Sequence, residues 1–452
     1  MHIEETVTIT KAEYDSLKRE IVELKILVAQ LMQEIQLLRN GRNSGKSHTP
    51  PSHQFTSSNS RSLREKSDKK TGGQDGHEGN TLLMKAVADK VINHVPNYCN
   101  CGADLTDIVA ELSAIKQEIG LPEIRAEYIE HRTFSKSCNC CGKKMTAAMP
   151  VHLKAPIQYG AGIGAMVGYL HTYQYIPYHR MCKLFKDLFQ MKISEGSIKN
   201  ILEKLHNRAI PAYNEIGHRI ENSDVVGGDE TGIKINNQKG WIHTWQNSMY
   251  TFTVASYNRG YQTVQQYFSN GFLSAVYVSD CWAAQLKVKA KVHQLCLAHL
   301  LRELNNFEDA LGCQWSTELK LVLKKAIAMK KELTADEYRK PPTKVIEIQE
   351  ELFKILDVEY DAKHKKIKAF IKRLVKNKNS IFPFLYYQNV PSDNNGSERA
   401  IRNIKVKNKV SGCFRSKAGA DFFCCNTISC RYCYKKWSRC FFSSPYNKFS
   451  CT

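Results

Sequence analysis

At 452 residues the chain exceeds what one ordinary hydrophobic core holds, so several domains are expected. Its 65 Lys and Arg residues against 44 Asp and Glu leave a net charge of +21, which favours a polyanionic partner, nucleic acid ahead of an anionic membrane surface. No apolar run approaches the roughly 18 residues that a bilayer-spanning helix needs.

The opening segment, Met-His-Ile-Glu-Glu, lacks the basic-then-apolar pattern of a secretory signal, so a cytoplasmic protein is expected. In that setting the 16 cysteines point to metal binding or burial rather than to disulfides.

Thr10 and Glu13 have the spacing of a capping box, and neither Gly nor Pro follows until Gly41. Leu17, Leu24, Leu31 and Leu38 recur every seven residues, with Tyr14, Ile21, Val28 and Ile35 at the other apolar heptad position. The pattern predicts a parallel two-stranded coiled coil over 10–40, and with it a homodimer or higher oligomer. Residues 41–85 are rich in Ser, Gly, Asn, His, Lys and Arg, too polar to offset chain entropy, and read as a disordered basic linker. Within it, Gly72 to Gly79 lacks the Lys and the preceding strand of a phosphate loop and is not read as one.

A cysteine domain is expected over 86–150. Cys99-Asn-Cys101-Gly and Cys138-Asn-Cys140-Cys141-Gly set thiol pairs beside glycines, with strand-like sequence between them. Such pairs suit tetrahedral Zn²⁺. The ligands selected are Cys99, Cys101, Cys138 and Cys141, with Cys140 as the rival of Cys141 and reduced, buried thiols as the alternative to a metal site.

Residues 151–215 read as helical. Tyr178 to Phe189, a break at Gln190 to Ser194, and Glu195 to Leu205 have the outline of a helix-turn-helix, with Ser194 as N-cap. Ser197, Lys199 and Asn200 would then face a groove or phosphates; an ordinary bundle pair is the alternative.

The first part of a catalytic core is expected over 216–300. In Asp224-Val-Val-Gly-Gly-Asp-Glu-Thr-Gly232 an apolar pair runs into Asp229 and a glycine-bounded turn, the pattern of a buried strand ending in a carboxylate. Gly240 to Asn247 and Tyr250 to Ser256 alternate as strands, Gly260 to Phe268 reads as a helix, and Ala275 to Asp280 as a strand that again ends in Asp. Three strands, a helix and a fourth strand beside the first is a ribonuclease-H-like order, which sets Asp229 and Asp280 side by side for metal-assisted chemistry on phosphate. Glu230 follows Asp229 directly and so faces the other side of the sheet.

Residues 301–385 read as a helical insertion, with amphipathic pieces at Leu319 to Leu323 and Ile346 to Leu356 and a dense basic run from Lys363 to Lys378, read either as a DNA-holding face or as a solvated one. Cys296-Leu-Ala-His299 is too small a pair for a structural zinc site, which leaves a local structural or DNA-orienting role.

The core resumes over 386–423. A polar run caps a helix with Glu398 in its early turns, and Glu398 supplies the third hard oxygen donor that two-metal phosphoryl transfer requires. Arg399, Arg402, Lys405, Lys407, Lys409 and Arg415 follow closely, suiting a ligand that lies against a DNA backbone. Residues 424–452 crowd in cysteines, lose the helical pattern after Phe423 and read as a frameshifted tail.

The zipper, Gly72-Gly-Gln-Asp-Gly-His, the cysteine segment, Asp229-Glu-Thr-Gly, Val278-Ser-Asp280, His293-Gln-Leu-Cys-Leu-Ala-His-Leu-Leu-Arg302, Asn394-Asn-Gly-Ser-Glu-Arg-Ala-Ile-Arg402 and Gly412-Cys-Phe-Arg-Ser416 occur in one order. Together they resemble the insertion sequence 66 family of bacterial transposases, of the Asp-Asp-Glu group. The resemblance implies a metal-dependent DNA transposase with Asp229, Asp280 and Glu398 as its triad, two Mg²⁺ ions at the site, and double-stranded DNA as substrate. The competing readings are a DNA-binding regulator without catalysis and an inactive remnant of a transposase. The fold class expected is multidomain α+β.

Overall fold

The computed structural model describes residues 10–42, 82–357 and 365–436. Most of the linker expected over 41–85, the Gly72 to Gly79 segment and residues 437–452 lie outside them.

Helix α1 runs from Lys11 to Arg42. Its start is the capping box: the Thr10 N–H donates to Glu13 at 2.9 Å, and the Glu13 N–H to the Thr10 hydroxyl at 3.3 Å. Leu17, Ile21, Leu24, Val28, Leu31 and Ile35 are all exposed along it, so the heptad face is open.

Residues 82–150 depart from the expected small domain. Their regular structure is one hairpin, β1 (Ser135–Ser137) antiparallel to β2 (Lys144–Thr146), and the segment is almost wholly exposed. The strand-like stretch between the cysteine pairs forms no strand, because its apolar residues, such as Ile108, Val109, Leu112, Ile119 and Leu121, find no partners to bury them.

Next come α2 (Ala161–Thr172), α3 (Tyr178–Phe189) and α4 (Glu195–Glu221), which pack on one another. Gln190 ends α3 in the left-handed region, and the Ser194 hydroxyl caps α4 by accepting from Ser197 N–H at 3.0 Å. Val167, Met181, Phe185, Ile198 and Leu202 form the core of this group. The second helix is much longer than expected. It passes through Pro211 without stopping, and its far end packs Ile216 and Ile220 under the sheet. The helical group and the sheet therefore share one element across the boundary expected at 215.

The sheet contains β3 (Val225–Ile235), β4 (Gln238–Gln246), β5 (Thr251–Ser256), β6 (Phe272–Ser279) and β7 (Ala290–Leu295), in the order β5-β4-β3-β6-β7. β3–β4 and β4–β5 are antiparallel; β3–β6 and β6–β7 are parallel. The order places β6 beside β3 as expected, and the unanticipated β7 extends the sheet. α5 (Tyr261–Tyr267) crosses from β5 to β6, and α6 (Ala283–Leu286) precedes β7.

One local expectation is overturned. The chain does not turn at Gly232: β3 continues to Ile235, and the tight turn is Asn236-Asn237, both at positive φ. Two such residues suit the twist of a two-residue hairpin, and pairing with β4 carries β3 past the glycine.

Beyond the sheet come α7 (Leu297–Leu311), α8 (Gln314–Glu332), α9 (Ala335–Arg339), α10 (Thr343–Asp357) and α11 (Lys365–Lys376). The apolar stripes of α7, α8, α10 and α11 meet Val276, Val278 and Leu295 of the sheet in one large core. α12 (Asn395–Ser411) and α13 (Lys417–Lys436) cover the opposite flank, where Ile401, Ile404, Phe414 and Phe423 pack on Ile233, Ile235 and Ile242. The helical pattern does not stop at Phe423. Cys424 and Cys425 are small enough to be buried as ordinary apolar residues, and α13 runs on to Lys436.

Candidate active site

Asp229 lies in the middle of β3, yet at the limit of one of its two pairings. The parallel register with β6 ends at Gly227 opposite Val278. Two residues further along each chain stand Asp229 and Asp280, the latter just past the last residue of β6. Equal displacement from a paired position sends both side chains to the same sheet face. Antiparallel pairing on one side of β3 and the end of β6 on the other produce a notch with a carboxylate on each wall.

α12 brings Glu398 to that face. The Asn394 side chain donates to the Gly228 carbonyl at 2.8 Å and accepts from the Ser397 hydroxyl at 2.7 Å. Its backbone N–H donates to the Cys296 sulfur at 3.1 Å, tying the start of α12 to the start of α7. The approach is close enough that a side chain at Gly227 would collide with Asn394 and Gln246, and one at Gly396 with Gln246. The polar run before Glu398 is thus a clamp between helix and strand. Glu398 itself sits in the first turn of α12, where the helix dipole favours a negative charge. The Arg302 guanidinium donates to both of its oxygens, at 3.1 and 3.3 Å, and His299 Nε2 lies 3.8 Å away.

The opposite face holds a second, closed network. A side chain at Gly228 would meet the Tyr277 hydroxyl. That hydroxyl donates to the Gln285 carbonyl, and Gln285 donates through its amide to Glu230 at 2.7 Å. The other Glu230 oxygen is paired with Arg259 at 2.9 Å, and Arg259 stacks on Trp282, whose backbone N–H donates to Asp280 at 3.0 Å. Both oxygens of Glu230 are therefore engaged in a packed scaffold beneath the notch.

Electrostatics separate the two sides. Burial raises the Asp229 carboxyl well above its usual range, with the charges of Glu230, Asp280 and Glu398 adding to the effect. Asp280 is pushed up to about 7 by burial and then by Glu230, against the Trp282 N–H, Arg259 and Arg373. Several carboxylates thus share a poorly hydrated site where their charge is unfavourable without a cation. All are hard oxygen donors, the chemistry that Mg²⁺ selects. Among the described residues, however, no three His, Cys, Asp or Glu side chains converge closely enough to hold an ion. The donor set fits a divalent cation; Glu398 is turned to Arg302.

The Cys296 thiol is pushed up to about 12 by burial, and its sulfur accepts from the Asn394 N–H. The Cys-x-x-His pair therefore splits its work: Cys296 anchors Asn394, and His299 flanks Glu398.

The cations expected to meet DNA divide. Arg399, Arg402, Lys405, Lys409 and Arg415 are exposed on and after α12, and Lys199 and Asn200 on the first turns of α4. Lys199 is paired with Glu203 at 3.2 Å. Lys407 is a correction. It is only 4% exposed, lies over the Phe423 ring and points toward the Tyr175 carbonyl, with its ammonium pushed down to about 8 by burial. Helical spacing turns it inward with Ile404, away from any DNA surface.

The cysteine pairs form two separate knuckles. The Gly102 N–H donates to the Cys99 carbonyl and the Gly142 N–H to the Cys138 carbonyl, both at 2.8 Å, with each glycine at positive φ. The Cys101 thiol is lowered first by the Ala103 N–H and then by Cys99, and the Cys138 thiol first by the N–H groups of Cys141 and Cys140 and then by the Cys141 thiol. Each knuckle suits half a zinc site, and the described structure does not gather the halves into one.

Sequence reasoning missed Arg302, Arg259, Gln285, Tyr277 and the clamp formed by Asn394 and Ser397. The one available signal was the spacing of His299 and Arg302, three apart on a helix and so on one face.

A family model described as "Transposase IS66 family" matches residues 156–422, more than half of the chain and all of the sheet, the inserted helices and α12. The chain belongs to the IS66 transposase family. No curated protein matches it. The IS66 match begins after the cysteine segment and ends inside α13, so it covers Asp229, Asp280 and Glu398 and leaves α1 and the knuckles outside. Among the described residues, no helix is long and apolar enough to cross a membrane.

Proposed function

We propose that the protein is the transposase of an insertion sequence, which cuts DNA phosphodiesters at the element's ends and joins the freed 3′-hydroxyls to target DNA. The observation that carries this reading is that Asp280 and Glu398, from two distant parts of the chain, lie near enough to Asp229 for their charges to act on it, beside exposed Arg399, Arg402, Lys405 and Lys409. The mixed strand order supports a ribonuclease-H-like core.

Divalent cations, Mg²⁺ in this proposal, would supply acidification of the attacking water or 3′-hydroxyl and charge stabilisation at the leaving oxygen. Asp229 and Asp280 hold them from the two strands, and Glu398 from α12. The Asn394 clamp fixes α12 against β3, so that the third carboxylate is positioned within the reach of the other two. Glu230, Gln285 and Arg259 hold the floor of the site without touching substrate. The exposed cations after Glu398 bind phosphates and position the duplex, in the manner of non-specific backbone contacts.

Two further assignments belong to this reading. The open heptad face of α1 takes the same face of a second copy, making a homodimer. Cys99, Cys101, Cys138 and Cys141 close on a structural Zn²⁺, with no part in the chemistry.

The test is a nicking assay on duplexes bearing the element's ends. Asp229→Asn and Asp280→Asn should each reduce metal-dependent cleavage by on the order of 10³-fold or more, the scale on which groups acting in the transition state are lost. Duplex affinity should change little. Cleavage retained by either variant would end the assignment and leave a non-catalytic DNA-binding protein.

A further inference from the structure

We infer that Arg302 is a positioning residue that competes with a divalent cation for Glu398. The inference rests on reading Glu398 as a metal ligand. Its guanidinium donates to both Glu398 oxygens, at 3.1 and 3.3 Å. A two-point fork occupies the lone pairs that a cation would use. His299, one turn earlier on α7, brings Nε2 to 3.8 Å of the same carboxylate. Both residues reach Glu398 from a helix whose start is tied to α12 through Cys296 and Asn394, so the pairing does not arise from a loose side chain.

The surroundings sharpen the point. Asp229 and Asp280 lie where burial, and then the charge of Glu230, raise both carboxyls. Glu398 is close enough to add to the charge at Asp229, yet both of its oxygens accept from the Arg302 guanidinium. Each of the three carboxylates has its charge met differently, and Glu398 must exchange Arg302 for the cation. Arg302 keeps α12 in place and the third carboxylate neutralised until that exchange, and it sets how tightly the cation binds.

Competition has a sign that simple structural support lacks. If Arg302 only braced α12, its removal would weaken cation binding. If it competes, removal strengthens binding. Mn²⁺ affinity of the full-length protein without DNA, measured by electron paramagnetic resonance titration, separates the two. Arg302→Gln should bind Mn²⁺ about fivefold more tightly, the equivalent of the roughly 1 kcal/mol that a partly exposed ion pair contributes. Arg302→Lys, which keeps the charge but loses the fork, should fall between the two and provides the reading if the Gln variant does not fold.

Unchanged or weaker Mn²⁺ binding in the folded Arg302 variants overturns the inference. Glu398→Gln is the separate control. If that substitution leaves Mn²⁺ affinity at the wild-type value, Glu398 is not a ligand and the proposed active site fails with it. If it weakens binding while Arg302→Gln does not strengthen it, only the competition fails.

Discussion

Asp229, Asp280 and Glu398 are carried by elements whose other sides are built into hydrophobic cores, whereas Cys99, Cys101, Cys138 and Cys141 sit in a segment with none. Both sets have the residue types of a metal site. The carboxylates are separated by 51 and 118 positions, yet the charges of Asp280 and Glu398 both act on Asp229, because β3, β6 and α12 are each fixed by packing before their polar ends are placed. The cysteines have tight local knuckles, each complete within a few residues, and nothing among the described residues brings one knuckle to the other. Local hydrogen bonding shapes half a site; only burial positions distant halves against one another.

The comparison can be broken in several ways. The largest expected effect is the loss of cleavage in Asp229→Asn and Asp280→Asn, which has no counterpart for the cysteines. Next is the clamp. Asn394→Ala removes two buried side-chain hydrogen bonds to the strand and to Ser397, and should cost about 1–3 kcal/mol in denaturant unfolding, with reduced cleavage. Cys99→Ser should instead shift unfolding of the sheet by less than about 0.5 kcal/mol, as for an exposed site. A large shift would mean that the knuckles are coupled to the core after all.

A pH series tests the carboxylates themselves. Asp280 is held at about 7 when folded, above the roughly 3.9 of an unfolded chain. The folded protein therefore keeps a proton that the unfolded chain has lost. That contribution to stability is fully present below about pH 4 and is lost as pH rises through about 7. Asp280→Asn cannot ionise, so in chelator its melting temperature should gain on wild type from pH 5 to pH 8. A constant difference across that range would place Asp280 in ordinary solvent.

The smallest effect separates two lysines two residues apart. Lys409→Ala should weaken duplex binding and reduce the salt slope by about 1, the change expected for one lost phosphate contact. Lys407→Met should leave the slope unchanged, since its ammonium lies under Phe423 and Tyr175.

Much of this was legible in the chain. Alternating residues marked β4 and β5, heptads and a capping box marked α1, and the expected places of Asp280 just past a strand and of Glu398 in the early turns of a basic helix are the ones found. Each of these signals is local or periodic. The errors have equally physical causes. Gly232 reads as a turn, yet pairing with β4 outweighs the conformational freedom of one glycine. Lys407 stands in a run of cations, and only the packing of α12 on β3 turns it inward. The cysteines after Phe423 read as a break in the helix, but a reduced thiol is small and apolar enough to line a core.

The amino-acid order by itself determined which residues are carboxylates, where the strands alternate, and that Asp229 and Glu230 leave the sheet on opposite faces, since a strand's two-residue period admits no other result. Tertiary structure alone decided what those carboxylates meet. Arg302 reaches Glu398 across 96 positions and Gln285 reaches Glu230 across 55, contacts that no local spacing encodes. They exist because burying apolar faces brings distant backbones together, and the polar groups on those backbones must then find partners among whatever the packing has set beside them.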